Sequence, residues 1–175
     1  MNTVRALKFA VALLIPVAFA CGDDDDDNNT PEPATNFTAD LSGANEVDPV
    51  TTLATGTATL SVDGDQLTHT IDVTDLQNAL VAHIHIAPAG ENGPVRLNLC
   101  GTGDPQPACT SGTGVLATGT NGTTVGDPPI TFDSLLSAMR TGGAYVNVHT
   151  SAAGCTAGEP GCNPGGEIRG QIEED

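Results

Sequence analysis

ATGTATLSVDGDQLTHTIDV, residues 54–73, carries the fold in its parity. In the first half Thr55, Thr57, Thr59 and Ser61 share one face. After Asp63-Gly64-Asp65 the second half puts Leu67, His69, Ile71 and Val73 on one face and Thr68, Thr70 and Asp72 on the other. A period of two on both sides of an Asp-Gly turn predicts two antiparallel strands of a hairpin, each with one wet and one buried side.

Outward from the hairpin, the same parity predicts strands over 37–41, 79–87, 95–100, 144–150 and 167–172. The stretch between Cys100 and the helix reads as a disulfide loop followed by a Gly/Thr-rich segment. Only FDSLLSAMR, 132–140, has helical spacing: Phe132, Leu135, Leu136 and Met139 recur on one side, and Gly142 and Gly143 end it. The composition agrees, with 21 Gly, 12 Pro and no Trp. The expected fold class is all-β, an antiparallel, immunoglobulin-like β-sandwich with one short helix.

The ends bear on location. FAVALLIPVAFA, 9–20, follows Arg5 and Lys8; its 12 apolar residues are too few to span a bilayer and suit a signal-peptide core. The run closes on Ala18-Phe19-Ala20-Cys21, which resembles a bacterial lipobox with Ala18 in place of the usual Leu. Residues 1–20 are thus expected to be a signal peptide and Cys21 a lipidated N-terminus, with plain secretion after Ala20 as the alternative. GDDDDDNNTPEPAT follows and buries nothing. Residues 21–35 are therefore expected to form a disordered acidic tether, leaving 36–175 as one domain. Gly22 after the cysteine resembles the outer-membrane sorting pattern. The expected location is the cell envelope, outer membrane or cell surface, with periplasm or secretion as alternatives.

With 22 acidic and five basic residues, the formal charge is −17. No basic patch for nucleic acid is available, and anionic lipid would be repelled, so membrane attachment falls to the acyl chains. Setting Cys21 aside leaves Cys100, Cys109, Cys155 and Cys162, an even number in an oxidising compartment. The local pairings Cys100–Cys109 and Cys155–Cys162 are expected, because each brackets a Gly/Pro-rich loop. The spacings are too wide for a zinc finger.

AHIHIAPAGENGPV, 82–95, raises the question of chemistry. Ala82, Ile84 and Ile86 are the core set, so His83 and His85 face away from it. In AYVNVHT, Val146 and Val148 are core and Tyr145, Asn147 and His149 face away; in EIRGQI the same holds for Glu167, Arg169 and Gln171. If these strands are neighbours, His83, His85, His149 and Arg169 converge. Two His at i and i+2 lie roughly 6–7 Å apart along a strand, near enough to lean toward one ion, and a third completes a set that suits copper or zinc. The alternative is an ordinary polar sheet face. His69, among Leu67, Ile71 and Val73, reads as a half-buried histidine.

Four blocks, FTADLSGANEVDPVTTLATGTATLSVDGDQLTHTIDVTDL, AHIHIAPAGENGPV, LLSAMRTGGAYVNVHT and NPGGEIRGQI, together resemble the CHRD (chordin) domain across nearly all of 36–175. Asp48, His69 and the cysteine loops depart from it. The family occurs in animal chordin, which binds bone morphogenetic proteins, and in bacterial secreted proteins of unassigned role; only the second context fits this chain. A second resemblance is to copper/zinc superoxide dismutases, where an H-x-H strand and a later V-x-H strand supply copper ligands and an Arg in G-x-x-x-R guides the anion. It implies His83, His85 and His149 as metal ligands, Arg169 as anion guide and a Greek-key sandwich. The bridging histidine, the zinc ligands and the disulfide of that family have no counterpart here.

The expected function is therefore a cell-envelope lipoprotein displaying one CHRD β-sandwich, a binding or structural module for an unassigned protein or surface ligand. The alternative is a copper- or zinc-binding protein, superoxide dismutase-like if it turns over. The sequence leaves open whether it is an enzyme.

Overall fold

The computed structural model describes residues 35–101, 106–126 and 128–175. The expected signal peptide, lipidated Cys21 and most of the acidic tether lie outside the described residues.

The described residues form nine strands, one α-helix and a 3-10 turn at Gly43–Asn45. The strands are β1 (Asn36–Ser42), β2 (Thr55–Asp63), β3 (Gln66–Leu76), β4 (Ala79–Ile86), β5 (Val95–Cys100), β6 (Gly112–Asn121), β7 (Ala144–Thr150), β8 (Ile168–Gln171) and β9 (Glu173–Glu174). The helix is α1 (Phe132–Arg140). They form one sheet ordered β5-β4-β7-β8-β1-β2-β3-β6, with β9 added beside β1. Every pairing is antiparallel.

The β2–β3 hairpin follows its parity. Asp63 pairs with Gln66, so the turn is two residues long, and Gly64 takes the left-handed conformation it needs at φ 56°. Ala58, Leu60 and Val62 of β2 and Leu67, Ile71 and Val73 of β3 point inward. His69 shares that inward side and is buried rather than half-buried, packed opposite Gly119, where a Cβ would meet its ring at 3.1 Å.

The sheet curls until its end strands approach each other. The seam between β5 and β6 carries no ladder and is bridged by Asn121 Nδ2 donating to the Asn98 carbonyl at 2.6 Å and by the Val125 amide donating to Arg96 at 2.8 Å. The result is a nearly closed, barrel- or sandwich-like arrangement. Its interior is filled by Phe37, Leu60, Ile71, Ile84, Leu97, Leu99, Val146, Val148 and Ile168. Full burial of such a side chain is worth about 1.5–3 kcal/mol each.

The helix has the bounds its spacing implies. Thr131 caps it by accepting the Ser134 amide, and Gly142 ends it at φ 67°. Phe132, Leu135, Leu136 and Met139 cover the core. The Gly/Thr-rich segment, to which the sequence assigns no element, is the long strand β6. A register shift opposite Ile71 and Asp72 breaks its alternation, and Gly112, Gly114 and Gly119 leave little pattern to read. Both disulfides, Cys100–Cys109 and Cys155–Cys162, are the local ones.

Candidate metal centre

β4 and β7 are neighbours, and their register sets the site. His83 lies opposite Asn147, His85 opposite Tyr145, and Val81 opposite His149. Ala82 and Ile84 of β4 and Val146 and Val148 of β7 take the core side. Parity therefore sends His83, His85, Tyr145, Asn147 and His149 to the other face together. β8 continues the sheet beyond β7, with Asn147 opposite Arg169 and Tyr145 opposite Gln171.

That face is largely covered, with His83 half-buried. His85 is 7 % exposed, His149 8 % and Arg169 1 %. Two glycine- and proline-rich segments cover it. The first, 88–93, is pinned by the Gly93 amide donating to the Tyr145 hydroxyl at 3.1 Å and by Arg169 Nη2 donating to the Pro88 carbonyl at 3.2 Å. The second, 155–166, contains the Cys155–Cys162 bond and is tied down by Glu167. Glu167 Oε2 accepts from the Thr150 hydroxyl at 2.8 Å, the Gly161 amide at 3.0 Å and Asn163 Nδ2 at 2.5 Å.

The covering segments also set the histidine tautomers. His85 Nδ1 lies 2.9 Å from the Gly93 carbonyl, and His149 Nδ1 lies 3.0 Å from the Pro164 carbonyl. A carbonyl only accepts, so each Nδ1 carries the proton and each Nε2 keeps its lone pair. Both Nε2 atoms are buried without a hydrogen-bond partner, and so is His83 Nδ1. One nitrogen from each of the three rings can be chosen so that all lie within 4.8 Å of one another. Backbone carbonyls holding the far nitrogen of an imidazole are the usual outer support of a metal ligand.

Electrostatics keep the rings neutral. Burial pushes His83 down to about 4, helped by repulsion from His149 and His85. Burial also lowers His85 against the opposing pull of the Gly93 hydrogen bond, and the Arg169 charge lowers it further. His149 is lowered by burial against its bond to Pro164. Neutral imidazole is the ligand form, and three unpaired nitrogens are costly to bury unless something fills them.

Arg169, expected as an anion guide, is 1 % exposed and stacked. Its guanidinium carbon sits 3.4 Å over the centre of the Tyr145 ring, and Tyr145 stacks on His85 with centroids 4.9 Å apart and planes 11° from parallel. Its hydrogen bonds go to the Pro88 carbonyl and to Asn92 Oδ1 at 3.5 Å. Tyr145, Gly93 and Pro164, which the sequence does not single out, are the residues that orient the ligands. Tyr145 alone shares the parity signal; the two accepting carbonyls lie in loops without any.

Among the proteins compared, a family model described as the CHRD domain matches residues 37–172. No curated protein and no solved structure matches the chain.

Proposed function

The chain belongs to the CHRD domain family, and from the face its sheet carries we propose that it is an exported module holding one copper or zinc ion between His83, His85 and His149. The observations that support this most are that one nitrogen from each ring lies within 4.8 Å of the others, that each ring has a buried nitrogen without a partner, and that carbonyl contacts already set the tautomers of His85 and His149. Imidazole suits copper and zinc, and affinity for divalent ions rises toward copper. Superoxide turnover would ask for a steered anion, and Arg169 is stacked on Tyr145 instead, so holding the ion without turnover is the reading that fits.

The two disulfides are compatible with an exported protein. Attachment through a lipidated Cys21 at the cell envelope belongs to the proposal and is supported by the signal core and lipobox-like end. Incorporation of labelled palmitate into the chain, and its loss in Cys21→Ser, tests that part.

The metal part is tested by titrating the full chain, exported so that its disulfides form, with Cu(II), Zn(II) and, anaerobically, Cu(I). Bound metal is read by elemental analysis against a His83→Ala/His149→Ala double variant. One tightly held ion, lost in the double variant, is expected. Equal metal in both proteins would leave a CHRD module whose ligand is something else.

A further inference from the structure

We propose that the three-histidine centre takes copper as Cu(I) in preference to Cu(II) and Zn(II), with the Arg169 charge, carried over Tyr145, setting that preference. The oxidation state rests on the metal reading above and goes beyond it.

The donor set comes first. All three ligands are neutral, and among the described residues no carboxylate or thiol joins them. A divalent ion would keep its full charge in a mostly buried place, where uncompensated charge is expensive. Zn(II) takes a fourth ligand, which water can supply, and Cu(II) favours a tetragonal set of N and O donors that three imidazoles alone do not make. Cu(I) brings one charge and is content with three donors.

The surrounding charge points the same way. Arg169 is always protonated and is 1 % exposed, so its field is poorly screened. It lies 3.4 Å over the Tyr145 ring, which is stacked 4.9 Å from the ring of ligand His85. Its hydrogen bonds to Pro88 and Asn92 go to neutral oxygens. Repulsion between this guanidinium and a bound ion scales with the charge on the ion, so it falls twice as heavily on Cu(II) and Zn(II) as on Cu(I). The opposing groups are Glu46, buried beside Asn147, whose carboxyl feels the Arg169 charge, and Glu167, 1 % exposed, whose Oε2 is engaged by the Thr150 hydroxyl, the Gly161 amide and Asn163 Nδ2. Burial pushes the Glu46 carboxyl up to about 7, which weakens its offset at neutral pH. Asp40 and Glu173 line the same cavity of about 480 Å³ but are exposed and screened by solvent.

The test compares Cu(I) affinity, by anaerobic competition with bicinchoninate, with Cu(II) affinity, by competition with nitrilotriacetate, on the full chain. The same pair is measured for Arg169→Met and Glu46→Gln, with circular dichroism to confirm folding. Wild type is expected to bind Cu(I) more tightly than Cu(II) or Zn(II). Arg169→Met is expected to lower the Cu(I)/Cu(II) ratio about tenfold, the size of one unit charge acting at roughly 10 Å through an effective dielectric near 20. That equals a drop of about 59 mV in the copper potential. Glu46→Gln is expected to move the ratio the opposite way, and it decides the matter if Arg169→Met does not fold. Tighter binding of Cu(II) or Zn(II) by wild type overturns the proposal, as does a ratio that ignores both substitutions. No binding of any ion by wild type overturns the metal reading itself, a different result from binding without the preference.

Discussion

His85 and Tyr145, stacked 4.9 Å apart, are tied to one glycine: the Gly93 carbonyl accepts a hydrogen bond from His85 Nδ1 and the Gly93 amide donates to the Tyr145 hydroxyl. One glycine thus orients a candidate ligand and the ring behind it. No side chain fits there, because a Cβ on Gly93 would run into the Ile86 carbonyl. Gly93→Ala is expected to displace the 88–93 segment and weaken metal binding roughly 10–100-fold, the range seen when the outer support of a ligand is lost. A chelator competition on the folded variant measures it. Unchanged affinity would mean that the carbonyl does not position His85.

Among the buried groups that shape the acid response of the metal-free protein, His83 and Glu46 act with opposite signs. His83 is held down at about 4 when folded and titrates near 6.5 when unfolded. The unfolded chain therefore binds the extra proton, and the stability His83 contributes is complete above about 6.5 and lost as the pH falls toward 4. Glu46, raised to about 7, has the reverse sign. Its contribution is complete below the usual carboxylate range and lost as the pH rises through 7. Between about pH 4.5 and 6.5 the two partly cancel. Urea midpoints taken with chelator present should fall more steeply on acidification in Glu46→Gln than in wild type, and less steeply in His83→Gln. Parallel profiles for all three proteins would refute the assignment.

Removing the Cys155–Cys162 bond should be felt at His149. The bond closes residues 155–162 of the covering segment, two residues before Pro164, whose carbonyl holds His149 Nδ1. A Cys155→Ser/Cys162→Ser variant is expected to lose about 2–3 kcal/mol of stability for so short a loop. It should also bind metal more weakly, whereas Cys100→Ser/Cys109→Ser should lose stability with little change in affinity. Equal effects on affinity from both pairs would contradict this.

Glu167 anchors the same segment from below. It is 1 % exposed and one of its oxygens accepts three hydrogen bonds. Glu167→Ala removes the acceptor of the Gly161 amide and of the Thr150 hydroxyl and one of the two acceptors of Asn163 Nδ2, and is expected to cost about 3–5 kcal/mol. Chemical denaturation reads it directly. A loss under 1 kcal/mol would show that water replaces the carboxylate.

How much of this was legible in the sequence follows from where the chain is periodic. The hairpin at 54–73 alternates, so its strands, its turn and its inward residues could be read. The same rule put His83, His85 and His149 on one face, because Ile84 and Val148 had to point the other way. What alternation does not reveal is what covers that face. Segments 88–93 and 155–166 are glycine, proline and polar residues without a period, yet they turn an apparent surface into a buried site. Arg169 reads as a free charge in EIRGQI and becomes a stacked one only because Tyr145 lies one strand over. β6 escaped for the opposite reason: its pairing is regular over most of its length, but glycines and a bulge erase the pattern.

The register of β4 against β7 has a consequence for timing. His83 and His85 come from one strand and His149 from another far along the chain, so three nitrogens exist as a set only after the two strands have paired. Contacts between distant segments form late in folding. A chain still threading through an export channel would have two ligands and no centre. If the chain is exported as proposed, its ion is acquired from the compartment it enters, and what it carries reports the metal supply on the far side of the membrane.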